Sequence, residues 1–271
     1  MCSLDKSTIR MMPVECFNGQ NLKDEHGGQG VLNYYTSNTS DYSFIFPLLD
    51  WQAINGITVE HGIALERCSN EPSSLIRLSF VGGVSDGEYE MTMMDTATHS
   101  LTTQRSWHFY DDAIVVLATN LIVKTINFAW TTLSSRRLSH SQITIGFFNS
   151  TIITLPNGFY SLSYNSGSPL NTCWPNKYWL SSSNARIVFV TIGIDLRNKT
   201  GNYIDIGTSN YTISTRTLTI WLDHGIGPYT LDYNYLILPN TSVQSTATII
   251  KQYEEDVFSC VSTNGNFHEI M

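Results

Sequence analysis

The stretch Ser214–Gly225, "STRTLTIWLDHG", places Leu218, Ile220 and Leu222 on one side of an extended chain and Thr217, Thr219 and Trp221 on the other. Side chains of a strand alternate between faces, so this period of two describes a strand with one face against a core. The next stretch, "YTLDYNYLILPN" (229–240), repeats the behaviour after a break at Gly225-Ile226-Gly227-Pro228.

The same pattern extends backwards along the chain. "SLIRLSFVGGV" (74–84) alternates, "SDG" (85–87) supplies a tight turn, and "EYEMTMMD" (88–95) returns, which is a hairpin signal. "SWHFYDDAIVVLATNL" (106–121) forms two further strands hinged at Asp111-Asp112. "QITIGFF", "STIITL" and "ARIVFVTIGI" continue the series, with "LPNG" and "NSGSP" as breakers. Residues 1–70 are irregular, punctuated by "HGGQG" (26–30) and "INGI" (54–57). No segment carries an amphipathic helix of more than two or three turns. Many strands without intervening helices predict an all-β fold, a large antiparallel β-sandwich in one domain.

Composition narrows the function classes. With 14% charged, 42% hydrophobic and 12% aromatic residues, the 271-residue chain is globular, and its net charge of −8 argues against a nucleic-acid partner. Long-range attraction of a polyanion is disfavoured too, although Arg136-Arg137 forms a local basic spot, expected as a solvated loop. No stretch is apolar and long enough to span a bilayer as a helix, so no membrane partner is expected. The N-terminal "MCSLDKSTIRMM" lacks the apolar run of a signal peptide. Cys2, Cys16, Cys68, Cys173 and Cys260 are widely spaced, odd in number and without a CxxC pair, so a cysteine zinc site is not expected. The sequons at Asn38, Asn149, Asn198, Asn210 and Asn240 decide little in a chain so rich in Asn, Ser and Thr.

The densest polar cluster is "VECFNGQN" (14–21), with Glu15, Asn18, Gln20 and Asn21 around Gly19. It has the look of the corner of a binding site, while Asn18-Gly19 is also a favoured turn pair. Elsewhere, Asp223-His224-Gly225 invites an acid/base reading but is more economically a turn, and His108 fits a packing or edge position. Asp111-Asp112 and the Asp41/Asp50 pair raise calcium, though aspartates at a hairpin usually serve the turn. No phosphate loop, nucleophile elbow or HExxH motif is present, and neither a metal nor a cofactor is expected. Among Trp51, Trp107, Trp130, Trp174, Trp179 and Trp221, any exposed ring could serve as a sugar-stacking platform.

Five motifs occurring in order carry a family resemblance: "MPVECFNGQNLK" (12–23), "FPLLDWQAINGIT" (46–58), "FVGGVSDGEYEMTMMD" (80–95), "SWHFYDDAIVVL" (106–117) and "LDHGIGPYTLDYNYLILPN" (222–240). Together they resemble the central domain of the polysaccharide lyases that include hyaluronate, chondroitin AC and xanthan lyases. The resemblance implies a super-sandwich of the galactose-mutarotase type over residues 1–245, with 246–271 the beginning or remnant of a further β domain. It implies that such lyases abstract the C5 proton of a uronic acid and expel the 4-linked oxygen, using Asn, His, Tyr and Arg from a helical toroid. No motif of that toroid is found here.

By the same resemblance Glu15 would hold the toroid's arginine, Asn18 would face substrate, and Asn21 would support the turn or reach the cleft. Asn55-Gly56-Ile57-Thr58 stands where the family commonly has Pro-Gly-Thr/Ile-Thr, a change expected to relax a rigid loop. Tyr203 stands where a Trp is common, a tolerable aromatic exchange. The expectation is therefore a stand-alone sandwich, inactive alone, that binds carbohydrate or acts as a secreted host-interaction protein. The alternative is the non-catalytic middle part of a lyase of uronic-acid glycans. The expected partners are an acidic polysaccharide and a helical catalytic domain or another protein, with an extracellular location.

Overall fold

The computed structural model describes residues 2–4, 23, 26–35, 39–63, 80–97, 100–111, 113–138, 143–146, 152–165, 168–172, 177–181 and 189–238. The strands are β1 (Cys2–Leu4), β2 (Gln29–Leu32), β3 (Thr58–His61), β4 (Val81–Ser85), β5 (Glu90–Ala97), β6 (Leu101–Phe109), β7 (Ile114–Val123) and β8 (Phe128–Arg137). They continue as β9 (Ile143–Gly146), β10 (Ile152–Leu155), β11 (Gly158–Asn165), β12 (Ser168–Thr172), β13 (Lys177–Ser181), β14 (Phe189–Asn202), β15 (Thr212–Ile226) and β16 (Leu231–Leu238). Helical structure among the described residues is confined to short 3-10 turns, including Thr39–Tyr42, Phe46–Leu48 and Tyr203–Ile206.

Pairing is antiparallel throughout. One sheet has nine strands in the order β10-β9-β12-β13-β16-β7-β6-β5-β4, the other five in the order β11-β14-β15-β8-β3, and β1 pairs with β2. The all-β sandwich expected from alternation is thus present. The hairpin at residues 85–89 forms as expected: Asp86 Oδ1 accepts the backbone N–H groups of Glu88 (2.9 Å) and Tyr89 (2.7 Å), closing the turn between β4 and β5.

The two sheets bury their facing sides against each other. From the five-stranded sheet come Ile192, Ile194, Leu196, Leu218, Ile220, Leu222, Ala129 and Leu133; from the nine-stranded sheet come Trp107, Val116, Ala118, Leu121, Tyr233, Tyr235 and Ile237. The alternation of residues 214–222 is therefore realised, with Leu218, Ile220 and Leu222 in this core.

Trp221 lies on the opposite face of β15. It stacks on Trp130 (centroids 4.5 Å apart), which in turn stacks on His61 (3.5 Å), while Phe159 closes the row from the other side (5.2 Å). Gly193 makes the row possible. A Cβ there would sit 2.0 Å from the Trp221 ring, so only glycine lets the indole lie flat across β14. Trp221 is 2% exposed and Trp107 0%, which removes both as open stacking platforms. The turn Phe46–Leu48 packs on β14 and β15, so the segment around it covers part of this outer face.

The placement of Arg136 and Arg137 corrects one expectation, and that of His108 decides between two. Arg136 and Arg137 end strand β8 and are not a solvated loop. Arg136 is 1% exposed, paired with Asp41 at 3.5 Å. His108 sits on β6, which is flanked by β5 and β7, so it is a packing residue and not an edge one. Glu15, Asn18 and Asn21, and the tail 246–271, lie outside the described residues.

Candidate functional site

A cleft of about 280 Å³ opens beside β2, between the turn that leads into it and the segment 42–55. Its wall carries the aromatic rings of Tyr35, Tyr42, Phe46 and Trp51, the amides of Asn33 and Asn55, and aliphatic Val31, Ile45, Leu49 and Ile54. Phe46 and Trp51 stack with centroids 6.0 Å apart, and Tyr35 meets Tyr42 edge-on at 5.1 Å. Tyr35 and Phe46 are each 53% exposed, so these two rings present faces to solvent.

The floor is fixed by the "INGI" turn. Gly56 adopts φ 83°, and a Cβ there would lie 2.7 Å from both the Leu32 backbone nitrogen and its Cβ. Glycine is required on both counts. Asn55 is 2% exposed and saturated with partners. Its Nδ2 donates to Asn33 Oδ1 (3.0 Å), its Oδ1 accepts from the Ser135 backbone N–H, and its carbonyl accepts from Leu32 N (2.9 Å). The loop expected to be relaxed by the loss of proline is instead tied by this amide to β2 and β8.

A second support comes from below. Arg105, on β6 of the nine-stranded sheet, is 1% exposed and donates to the carbonyls of Gln29 and Gly56, one from each wall. Its guanidinium also lies 4.9 Å from the Trp107 ring centroid. Carbonyl dipoles and an aromatic face thus replace a carboxylate partner for this buried cation.

A third support is the Arg136 cluster. Arg136 pairs with Asp41, donates from Nε to Ser134 Oγ (2.7 Å) and from Nη2 to Tyr42 Oη (3.2 Å), and lies over the Tyr34 ring at 4.9 Å. Burial raises the Tyr42 phenol far above its ordinary pKa although the Arg136 charge opposes this, so Tyr42 stays protonated at neutral pH.

The titratable groups around the cleft are likewise pinned. His26 is buried, its Nδ1 3.0 Å from Gln29 Oε1, and burial lowers its pKa to about 4. Asp50 pairs with His61 at 3.1 Å and accepts from Gln52 N at 3.0 Å. Burial pushes the Asp50 carboxyl up, but these hydrogen bonds and the charges of His61 and Lys199 bring it below its usual value.

His224 points into the sandwich, its Nε2 2.7 Å from Thr131 Oγ1 and its ring against Tyr233; burial lowers its pKa to about 3. A side-chain hydroxyl satisfies it. The expected turn at Asp223-His224-Gly225 is instead an irregularity inside β15, where Asp223 Oδ1 accepts from Gly225 N at 2.9 Å. Among the described residues no group of three or more His, Cys, Asp or Glu side chains could hold a metal ion.

Of the sequence-level candidates, the structure brings Trp51 to the cleft, with the "FPLLDWQAINGIT" motif supplying most of one wall. Asn33 and Tyr35 were not singled out, and Asn55 was noted only as a departure from the family pattern. The signal that could have found Asn33 and Tyr35 is the polar and aromatic run "LNYYTSN" directly after a glycine-rich turn.

The family described as "polysaccharide lyase family 8, super-sandwich domain" matches residues 1–249. The chain belongs to this family. It is 25% identical over 260 residues to a hyaluronate lyase of Thermasporomyces composti, covering 90% of this chain and 31% of that protein. Against a chondroitinase-AC of Pedobacter heparinus it is 25% identical over 233 residues, covering 83% and 31%. The solved structure of a chondroitinase AC lyase superposes with a TM-score of 0.75 at 21% identity, covering 94% of this chain and 36% of that one. A Paenibacillus xanthan lyase superposes at 0.74 with 22% identity, covering 92% and 24%. These superpositions establish the shared sandwich. The family 8 chain spans about a third of the length of the curated relatives it matches.

Proposed function

We propose that this family 8 sandwich binds an acidic polysaccharide through the cleft beside β2 and does not cleave it unaided. The observation that carries the reading is the cleft wall itself, where the exposed rings of Tyr35 and Phe46 stand beside Trp51 and the half-buried amide of Asn33. Aromatic faces suit the C–H faces of pyranose rings, and amides suit hydroxyl, acetamido and carboxylate oxygens.

Elimination from a uronide needs a base near the C5 proton and a group that neutralises the carboxylate. Of the described ionisable groups at the cleft, Tyr42 is held protonated and Arg136 is committed to Asp41. We extend the proposal to an extracellular setting, where such a protein would act by binding glycan or in host interaction.

A second reading is favoured by the relative lengths. Because the chain spans 31% of its lyase relatives, it would serve as their sandwich does, beside a helical catalytic partner. Glu15 would then fix that partner's arginine through a bidentate pair, with Asn18 and Asn21 toward the glycan.

Calorimetric titration with hyaluronan and chondroitin oligosaccharides, run alongside the ultraviolet absorbance of unsaturated product, tests both. Binding without turnover is expected, with Trp51→Ala weakening it about tenfold. Turnover by the purified chain that Glu15→Ala or Asn18→Ala abolishes would overturn the non-catalytic reading. Absence of binding would overturn the glycan reading.

A further inference from the structure

Outside the cleft, on the far side of Tyr42 and Ser43, three aromatic rings gather at the surface. Phe44 is 59% exposed and its ring lies 6.4 Å from that of Tyr211, which is 54% exposed; Tyr211 lies 6.0 Å from half-buried Tyr203. The rings come from separate elements. Tyr203 opens a 3-10 turn that packs against Phe46–Leu48, and the Tyr203 N–H donates to the Tyr211 carbonyl at 2.9 Å.

Phe44 is held at φ 54°, the left-handed region, which costs a residue with a bulky side chain on the order of 1–2 kcal/mol. The strain buys no burial, because the ring it orients remains mostly in water. Backbone strain of this kind concentrates where a side chain is positioned for a partner.

The second observation is a cation. Arg137, at the end of β8, donates from Nη1 to the Ser43 carbonyl at 2.6 Å, which places its guanidinium next to Phe44 in the chain. Among the described residues it has no carboxylate partner, in contrast to Arg136 with Asp41 and Arg197 with Asp195. Its charge also reaches Tyr203, whose phenol burial raises while Arg137 opposes the shift. A half-buried, unneutralised guanidinium beside exposed rings suits a ligand with both an anionic group and apolar faces. The chain's net charge of −8 makes this local cation the more important, since the overall field repels such a ligand.

We propose that Phe44, Tyr211, Tyr203 and Arg137 form a second subsite for an acidic sugar, continuing the cleft's glycan path, with the rings stacking on a pyranose and Arg137 pairing with its carboxylate. The inference rests on the glycan-binding reading of the cleft and extends it to the length and charge of the ligand. Phe46 lines the cleft and Phe44, two residues before it, does not, so the two places adjoin and one glycan chain can engage both.

The test is calorimetric titration of the full chain with hyaluronan disaccharide, with the octasaccharide, and with the octasaccharide after reduction of its carboxyl groups. Tyr211→Ala and Arg137→Gln are each expected to weaken the octasaccharide about tenfold and leave the disaccharide unchanged. Arg137→Gln alone is expected to erase the preference for the acidic over the reduced octasaccharide. Trp51→Ala is expected to weaken both lengths. Circular dichroism and the melting temperature confirm folding of each variant, and the exposed position of Tyr211 makes Tyr211→Ala the safer of the two.

If both subsite variants bind octasaccharide as the wild type does while Trp51→Ala weakens it, the second subsite is overturned and the cleft reading stands. If Trp51→Ala has no effect but the subsite variants do, the cleft reading falls and the subsite remains. A wild-type chain that binds neither length overturns both.

Discussion

The space between the two sheets and the ground beneath the cleft are held together by different physics. Between the sheets, aliphatic residues of β14 and β15 meet Val116, Leu121 and Ile237 of the nine-stranded sheet, and their burial supplies the adhesion. Beneath the cleft the apolar cluster is small: Val31, Ile54, Ile57 and Val59, with Trp51 packed against it. There the walls are located by polar ties that cross long stretches of chain. Arg105 joins Gln29 to Gly56, Asn55 joins Asn33 to Ser135, and Arg136 joins β8 to the turn at Asp41 and Tyr42. Area burial tolerates small shifts of its members, whereas hydrogen bonds to fixed carbonyls set positions to a few tenths of an ångström. The core therefore determines whether the chain folds, and the ties determine where the cleft walls stand.

Two substitutions of similar cost separate these roles. Ile220→Ala leaves a cavity in the core and is expected to cost about 3–4 kcal/mol of stability. Oligosaccharide affinity should be unchanged wherever the variant remains folded. Arg105→Met removes the tie and leaves two buried carbonyls unpaired, for a loss of roughly 3 kcal/mol. Here the affinity should fall as well. Urea denaturation and calorimetry on both variants decide the matter: equal affinity in the two would break the comparison.

Acid sharpens it from another direction. His26 and His108 have folded pKa values lowered to about 4 by burial, and His224 to about 3. The unfolded chain takes up these protons near pH 6.5, so their contribution is fully present above that value and is lost as pH falls toward 4 and then 3. Each contributes at most roughly 3–5 kcal/mol, His224 the most. Asp50 and Asp195, whose pKa values lie below the ordinary 3.8, lose their contribution only at lower pH. Urea midpoints are expected to decline already between pH 6.5 and 4. His108→Gln, at a residue that does not line the cleft, should flatten part of that decline without altering glycan affinity at pH 7. A midpoint constant down to pH 4 would contradict the buried neutral state of all three.

The same division explains what could be read in advance. Alternation in "STRTLTIWLDHG" specifies both faces of β15, because each side chain's face follows from its position in the strand. "SDG" specifies the β4–β5 turn for an equally local reason. "FAWTTLSSRR" is not among the strands expected from alternation, although β8 pairs with both β15 and β3 and carries Trp130, Ser135 and Arg136. Its polar half looks like a loop, since the partners that satisfy Ser135 and Arg136 are 80 and 95 residues distant. Arg105 was unremarkable in "TTQRSWHF" for the same reason: its acceptors lie 76 and 49 residues away. Local periodicity predicts faces, while the ties that build the cleft are non-local and leave no periodic trace.

Phe44 tests whether positional demands at the surface run against stability. Its left-handed backbone costs about 1–2 kcal/mol, and glycine would remove that cost while losing chain entropy of roughly 0.5–1 kcal/mol and the contact with Tyr211. Phe44→Gly is therefore expected to leave stability unchanged or raise it by up to about 1 kcal/mol, a small effect of unusual sign for the loss of an aromatic side chain. If the ring serves an acidic glycan, the same variant should bind the octasaccharide several-fold more weakly than the wild type. A variant that is both less stable and equally competent in binding would mean that Phe44 packs for the fold. A gain in stability with a loss of affinity would identify strain held for the sake of a ligand, the property that distinguishes this rim from the core between the sheets.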